Sequence, residues 1–183
     1  MTPMKQFLFA MTAIIGVSSA AFAVDTVAPT SAERAQETTS VTQEFVRNAT
    51  FGNMFEIESS KLALQRSKDK EVQAFAKQMI ADHTKAGNEM KIAVKKAKID
   101  PTIAPTEMDD KHVDIITDLK KSSAADFDED YIDAQEDAHE ETVSLFEKYA
   151  KDGDNDALKA FAAKTLPTLK AHKVHVERLD DKE

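Results

Sequence analysis

The chain has 183 residues, which is enough for one domain with a substantial hydrophobic core. Acidic residues outnumber basic ones by 33 to 24, which argues against nucleic acid as a partner, because a polyanion is bound by a basic surface. The absence of Cys excludes disulfides and thiolate metal sites, and the small numbers of Gly (4) and Pro (5) favour helix.

The N-terminus predicts a cleavable signal peptide over residues 1–23. Lys5 provides the positive start, residues 7–17 form an apolar run, and a small-x-small cleavage site ends at Ala23. The run is shorter than the roughly twenty apolar residues of a membrane span, so an uncleaved anchor is the less favoured alternative. We therefore expect an exported protein with no integral membrane segment after cleavage. The Thr- and Ser-rich stretch 24–40 predicts a flexible lead-in.

Apolar residues at helical spacing predict two long helices in the first half of the remaining chain. Ser40 and Gln43 have the spacing of a capping box and predict a first helix at about 41–68. Asp69 is the predicted cap of a second helix at about 70–97.

The second half predicts another pair of long helices. Asp126 is the expected cap of a helix at about 127–151, and a last helix follows at about 155–180. Pro167 lies inside this last helix and should kink it, because proline removes a helix hydrogen bond.

A longer connection separates the two helix pairs. Pro101 and Pro105 interrupt the chain there, and a short helix is predicted at about 106–121. Two antiparallel pairs joined by a crossover are typical of a ferritin-like bundle. The predicted fold is therefore all-α: a ferritin-like antiparallel four-helix bundle over 41–180, with a short extra helix in the crossover between helices two and three.

The candidate site consists of one polar residue near the middle of each predicted long helix. These are Glu56, His83, His139 and His172, which fall on or beside the inner faces at matching depth. In antiparallel helices, residues at mid-height meet at one level. Imidazole and carboxylate ligands together suit Zn, Fe, Cu or Ni, so the pattern predicts a single divalent transition metal.

A second interpretation of the same residues needs no metal. Neutral His side chains, Gln135 and Glu56 could hydrogen-bond to one another and fix the register of the helices. The protein would then be a non-metal envelope protein, with a stress-related or partner-binding role. The sequence leaves both interpretations open and identifies no protein partner. It contains no nucleophile–base pair and no phosphate-binding loop, which favours a non-enzymatic role.

Several weaker signals lie near these residues. Glu136 precedes His139 at the spacing used in di-iron bundles, but its acidic surroundings favour a solvated charge. His175 follows His172 by one turn and is expected at the edge of the inner face. Asp82 is next to His83, and adjacent residues on a helix do not face each other.

Four motifs, one in each predicted long helix, form a specific combination. In chain order they are Phe45-Val46-x-x-Ala49 with Glu56-Ile57-Glu58, Val72-x-x-Phe75-Ala76-x-x-Met79-Ile80-x-Asp82-His83, Phe127-Asp128-x-x-Tyr131-Ile132-x-x-Gln135-x-x-x-His139, and Thr165-Leu166-Pro167-x-Leu169-x-x-His172. The combination resembles the DUF4142 family of exported bacterial proteins and covers about 42–179. The resemblance implies a ferritin-like bundle in the envelope of a Gram-negative bacterium, and hence a periplasmic location. It implies no particular biochemical function.

The chain departs from the di-iron pattern at two positions. Ile80 and Leu169 stand three residues before His83 and His172, where di-iron bundles carry Glu. We therefore expect a single-metal or purely structural centre rather than a carboxylate-rich ferroxidase site.

Overall fold

The computed structural model describes residues 31–180, with side chains from residue 40 onward. The described part is all-helical, with five α-helices and no strand. The helices are α1 (Ser31–Arg66), α2 (Lys70–Lys96), α3 (Asp110–Lys121), α4 (Phe127–Asp152) and α5 (Asp156–Asp180), and a 3-10 turn at Pro101–Ile103 lies between α2 and α3. The predicted signal peptide 1–23 and the first part of the lead-in, 24–30, lie outside the described residues.

The first helix begins earlier than predicted. α1 starts at Ser31 rather than at 41, so the part of the predicted lead-in from residue 31 onward is helical. The Ala, Glu, Arg and Gln residues of this stretch are good helix formers, which explains the extension. The predicted capping box at Ser40 is consequently wrong, because Ser40 lies inside the helix.

The starts of α3 and α4 also differ from the predictions, whereas the start of α2 agrees with its prediction. Asp69 caps α2 as predicted, since its carboxylate accepts hydrogen bonds from two backbone amides of the first turn. The short helix α3 starts at Asp110 instead of 106, because Asp109 caps it. Asp126 stands at the start of α4, but its side chain makes no capping hydrogen bond; it accepts a bond from the Ser123 hydroxyl.

The long helices contact one another in the pairs α1–α2, α2–α5, α4–α5 and α1–α4, and α3 packs against α1 and α4. Helices α1 and α4 run in opposite directions, because Thr42 pairs with Tyr149 near one end and Ser60 pairs with Tyr131 near the other. Helix α5 continues through Pro167 without a break.

Two apolar clusters fill the core. One is built around the fully buried aromatic residues Phe55, Phe75 and Tyr131, and the other around Phe45, Phe146 and Phe161. Buried polar residues lie between them, and they include Glu56, Ser59, His83, Gln135, His139 and His172. None of the described helices combines the length and the apolar character needed to cross a membrane.

Candidate metal centre

Three histidine side chains meet in the polar layer between the two apolar clusters. His83 on α2, His139 on α4 and His172 on α5 are 4%, 0% and 1% exposed. Each lies near the middle of its helix, and the three side chains meet at one level of the helix packing. The prediction that these three side chains converge is confirmed by their mutual distances.

The three imidazoles form a nearly equilateral triangle. The ring centroids are 5.9 Å apart for His83 and His139, 5.6 Å for His83 and His172, and 5.4 Å for His139 and His172. One nitrogen of each ring lies within 4.8 Å of a nitrogen of both other rings. The group therefore offers three ligand atoms in a small volume from three different helices.

Hydrogen bonds fix the tautomers of two of the rings. Nδ1 of His139 lies 2.8 Å from the carbonyl oxygen of Gln135, one turn earlier on α4. A carbonyl can only accept, so Nδ1 donates and the lone pair resides on Nε2. Nε2 of His172 likewise lies 2.9 Å from Oδ2 of Asp82 on α2 and donates to that carboxylate, which leaves the lone pair on Nδ1.

Each of the three rings keeps one buried nitrogen without a hydrogen-bond partner in the described structure. These atoms are Nε2 of His83, Nε2 of His139 and Nδ1 of His172. For His139 and His172 they are the lone-pair nitrogens identified from the tautomers. Buried polar atoms are nearly always paired, so these three nitrogens call for a partner outside the protein, such as an ion or water.

Burial favours the neutral form of His83 and His172. Desolvation lowers the pKa of His83 well below its ordinary value, and the neighbouring rings of His139 and His172 lower it further. Desolvation also lowers the pKa of His172, although the hydrogen bond to Asp82 opposes it. Neutral imidazole is the form that binds a metal ion.

Glu56 lies behind His139. Its Oε1 is 3.5 Å from Nδ1 of His139, the nitrogen that faces the Gln135 carbonyl, and its Oε2 has no hydrogen-bond partner in the described part. Burial raises the pKa of Glu56, while His139 and the Gln135 side chain lower it. Glu56 does not meet the close spacing of the three imidazoles, so its assignment as a fourth ligand stays a prediction.

The carboxylate nearest to any of the three rings is Asp82 rather than Glu56, contrary to the expectation from the sequence. Asp82 pairs across the interface with His172, and not with its neighbour His83. The sequence argument that adjacent residues on a helix do not face each other correctly excluded a contact between Asp82 and His83. The contact between Asp82 and His172 could not be predicted from one helix, because His172 lies on another helix.

The weaker candidates lie outside the triangle. Glu136 is half-buried on α4, and burial together with Asp180 and Glu177 raises its pKa. His175 is half-buried, and its ring packs edge-on against Phe75 at 5.1 Å. His112, the fifth histidine, pairs with Asp109 at the start of α3.

The fold and this site define an all-helical protein with a buried three-histidine centre. The chain belongs to the family described as Domain of unknown function (DUF4142), whose model matches residues 27–179. The resemblance of the four helix motifs is thereby confirmed, and the match begins ahead of α1. Neither a search of curated proteins nor a search of solved structures found a match to the chain.

Proposed function

We propose that this protein is a metal-binding helical bundle in which His83, His139 and His172 hold a single divalent transition metal. The observation that carries the proposal is the set of three buried imidazole nitrogens, one from each ring, that lack a partner among the described residues. Three nitrogen ligands suit Zn, Cu, Ni or Fe. We also propose that the helices form the ferritin-like antiparallel four-helix arrangement, with α3 in the crossover.

The spacing of the rings is compatible with a metal after small side-chain rotations. Ligand nitrogens about 2.0–2.1 Å from a zinc-sized ion lie roughly 3–4 Å from one another. One nitrogen of each ring already lies within 4.8 Å of one nitrogen of each other ring, so the backbone need not move far.

The groups around the triangle support ligand binding. Asp82 accepts a hydrogen bond from Nε2 of His172, and the Gln135 carbonyl accepts one from Nδ1 of His139. These bonds orient the two rings and leave the lone pair of each ring on its other nitrogen. The carboxylate of Asp82 also places negative charge beside His172, which favours a divalent cation on that ring. Glu56 lies beside Nδ1 of His139, and its place as a fourth ligand remains a proposal that the three-histidine site does not require.

The alternative is a purely structural polar layer in a protein with a stress-related or partner-binding role. The hydrogen bond from the Gln135 amide to Ser59 at 3.1 Å favours it, because it shows that part of the layer is self-satisfied. The unpaired histidine nitrogens oppose it, because no protein group in the described part satisfies them, whereas a layer that only fixes helix register would pair its own polar atoms.

We propose that the mature protein resides in the periplasm of a Gram-negative bacterium. The support is the positively charged start, the apolar run and the small-x-small motif of residues 1–23. The proposed role is metal handling rather than catalysis, because the sequence lacks a nucleophile–base pair. The acidic composition continues to argue against nucleic acid as a partner.

Thermal unfolding with added Zn²⁺, Cu²⁺ or Ni²⁺ tests the metal proposal. Binding to the folded state alone stabilises by about 2.7 kcal/mol at a hundredfold excess over Kd, so the melting temperature should rise. The double variant His83→Ala, His172→Ala should lose the rise, whereas His175→Ala, outside the triangle, should keep it. An equal response in the wild type and the double variant would reject the three-histidine site.

A further inference from the structure

A large cavity opens on one side of the three-histidine layer. Its volume is about 1350 Å³, and it extends from His83 along α2 to the connection around Pro101. The wall is mostly apolar and includes Met90, Phe146 and Phe161. Small-molecule sites are concave and mainly apolar, with a few polar groups that fix the orientation of the ligand.

Two unpaired polar atoms lie on residues that line this cavity. They are Nε2 of His83 and the hydroxyl oxygen of Thr165. Both residues are buried, with 4% of His83 and 9% of Thr165 exposed. The hydroxyl can donate one hydrogen bond, and a metal on His83 would present a positive charge. Both features call for an oxygen atom that carries lone pairs and negative charge.

The cavity rim is positively charged on an acidic protein. Lys91, Lys95 and Lys98 line the cavity and are exposed, with Asp100 as the opposing charge, whereas the whole chain has a net charge of −9. A local basic rim attracts anions and raises their rate of entry.

We propose that the cavity binds an apolar carboxylate, whose body packs between the helices and whose head group reaches the metal on His83 and the hydroxyl of Thr165. The inference rests on the metal site proposed above and names the ligand class of that site. Three histidine ligands leave a coordination position for a carboxylate oxygen, as catalytic three-histidine zinc sites leave one for water. The lysine rim guides the ligand in but does not hold its head group.

The test uses the mature chain loaded with Co²⁺, whose visible absorption reports its ligands, and decanoate as the probe. Decanoate should change the Co²⁺ spectrum and bind at least tenfold more tightly than the uncharged decanol, and tenfold more tightly than to metal-free protein. Appearance of the Co²⁺ spectrum without any response to decanoate would overturn this inference and leave the metal site intact. Absence of the Co²⁺ spectrum would overturn the metal site and the coordinated head group with it.

Matched variants locate the ligand. Thr165→Val and Ala86→Phe, both at the cavity wall, should weaken decanoate binding at least fivefold with the Co²⁺ spectrum retained. Thr168→Val and Ala74→Phe, on exposed positions of the same helices, should leave it unchanged. Lys91→Glu with Lys95→Glu should slow association and leave the spectrum of the saturated complex unchanged.

Three results would contradict this placement. Equal binding by the wall variants and their controls would put decanoate elsewhere. Loss of the spectral change in the lysine variant at saturation would put the head group at the rim. A concentration-dependent dimer that Ala86→Phe abolishes, without decanoate binding, would identify a second copy of the chain as the occupant.

Discussion

The carboxylate of Asp82 and the imidazole of His172 form a 2.9 Å hydrogen bond between α2 and α5. The bond determines which nitrogen of His172 carries the proton and which keeps a lone pair. Asp82 is 36% exposed at its side chain while His172 is almost fully buried, so the pair lies at the boundary between the core and solvent. Asp82 is therefore a positioning residue for the proposed metal.

Replacing Asp82 should weaken metal binding without unfolding the protein. Loss of a carboxylate that orients a ligand histidine typically costs 10–100-fold in affinity, so Asp82→Ala should raise the Kd for Zn²⁺ by about that factor. Asp82→Asn keeps a hydrogen-bond acceptor and should recover part of the loss. Asp114→Ala, at an exposed position on α3, is the control. Competition titration measures the effect, and equal affinities for Asp82→Ala and the control would refute the positioning role.

The metal-free protein should lose stability as the pH falls below about 6.5, the ordinary pKa of histidine. Burial lowers the pKa of His83 and His172 in the folded state, so the unfolded state binds their protons first. Each proton taken up there reduces the free energy of unfolding. The loss begins near the unfolded pKa and continues down to the folded one. Urea unfolding in EDTA between pH 8 and pH 5 measures it, and stability that stays constant or rises would contradict neutral buried rings.

Glu56 should act on this pH profile with the opposite sign. Burial raises its pKa, so the folded state holds its proton more tightly than the unfolded chain, and lowering the pH through the folded pKa restores stability. Glu56→Gln should therefore make the acid-induced decline steeper, and His83→Gln should make it shallower. The other ionisable groups that contribute to these shifts, His112, His139, His175 and Asp82, are unchanged in both variants. If the free energy of unfolding fell with pH equally steeply in the two variants, the opposite pKa shifts assigned to Glu56 and His83 would be wrong.

Removal of a core aromatic side chain should cost far more than removal of a charge on α4. Phe75 is fully buried, so Phe75→Ala should destabilise by about 3–5 kcal/mol, and Phe161→Ala, at 6% exposure, by a similar amount. Glu136→Ala should change the free energy of unfolding by no more than about 0.5 kcal/mol, since Glu136 is only half-buried and lies near Asp180 and Glu177. Denaturant titration compares them, and a Glu136 effect as large as that of Phe75 would show a structural role for this carboxylate.

Export of the full-length chain should remove the first 23 residues. The apolar run at 7–17 and the small residues that end at Ala23 predict cleavage before Val24. N-terminal sequencing of the exported protein should therefore begin at Val24. A mature product that retains residues 7–17 would instead indicate an anchored protein.

Helical periodicity predicted the interior of the structure well. Apolar residues at i, i+3 and i+4 predict the inner face of each helix, and His83, His139 and His172, which fall on or beside those faces, are buried in the structure. The equal depth of the three residues sufficed to predict their convergence, because antiparallel helices of similar length meet at mid-height.

The ends of helices and the outer shell of the site were less predictable. Ser40 has the chemistry of a cap, but good helix formers precede it and the helix continues through it. The Asp82–His172 pair and the hydrogen bond from His139 to Gln135 depend on side-chain directions and on packing between helices. The unpaired nitrogens, which carry the functional proposal, follow from those bonds and are not visible in any sequence pattern.

The metal content of the protein purified from the periplasm, without added metal or chelator, tests the central claim most directly. Elemental analysis should find about one equivalent of one transition metal per chain, because the three-histidine group forms a single site. The His83→Ala, His172→Ala variant, purified in the same way, should lose it. Wild-type protein that contains no transition metal, or metal retained equally by the variant, would contradict the account and favour a hydrogen-bonded structural layer.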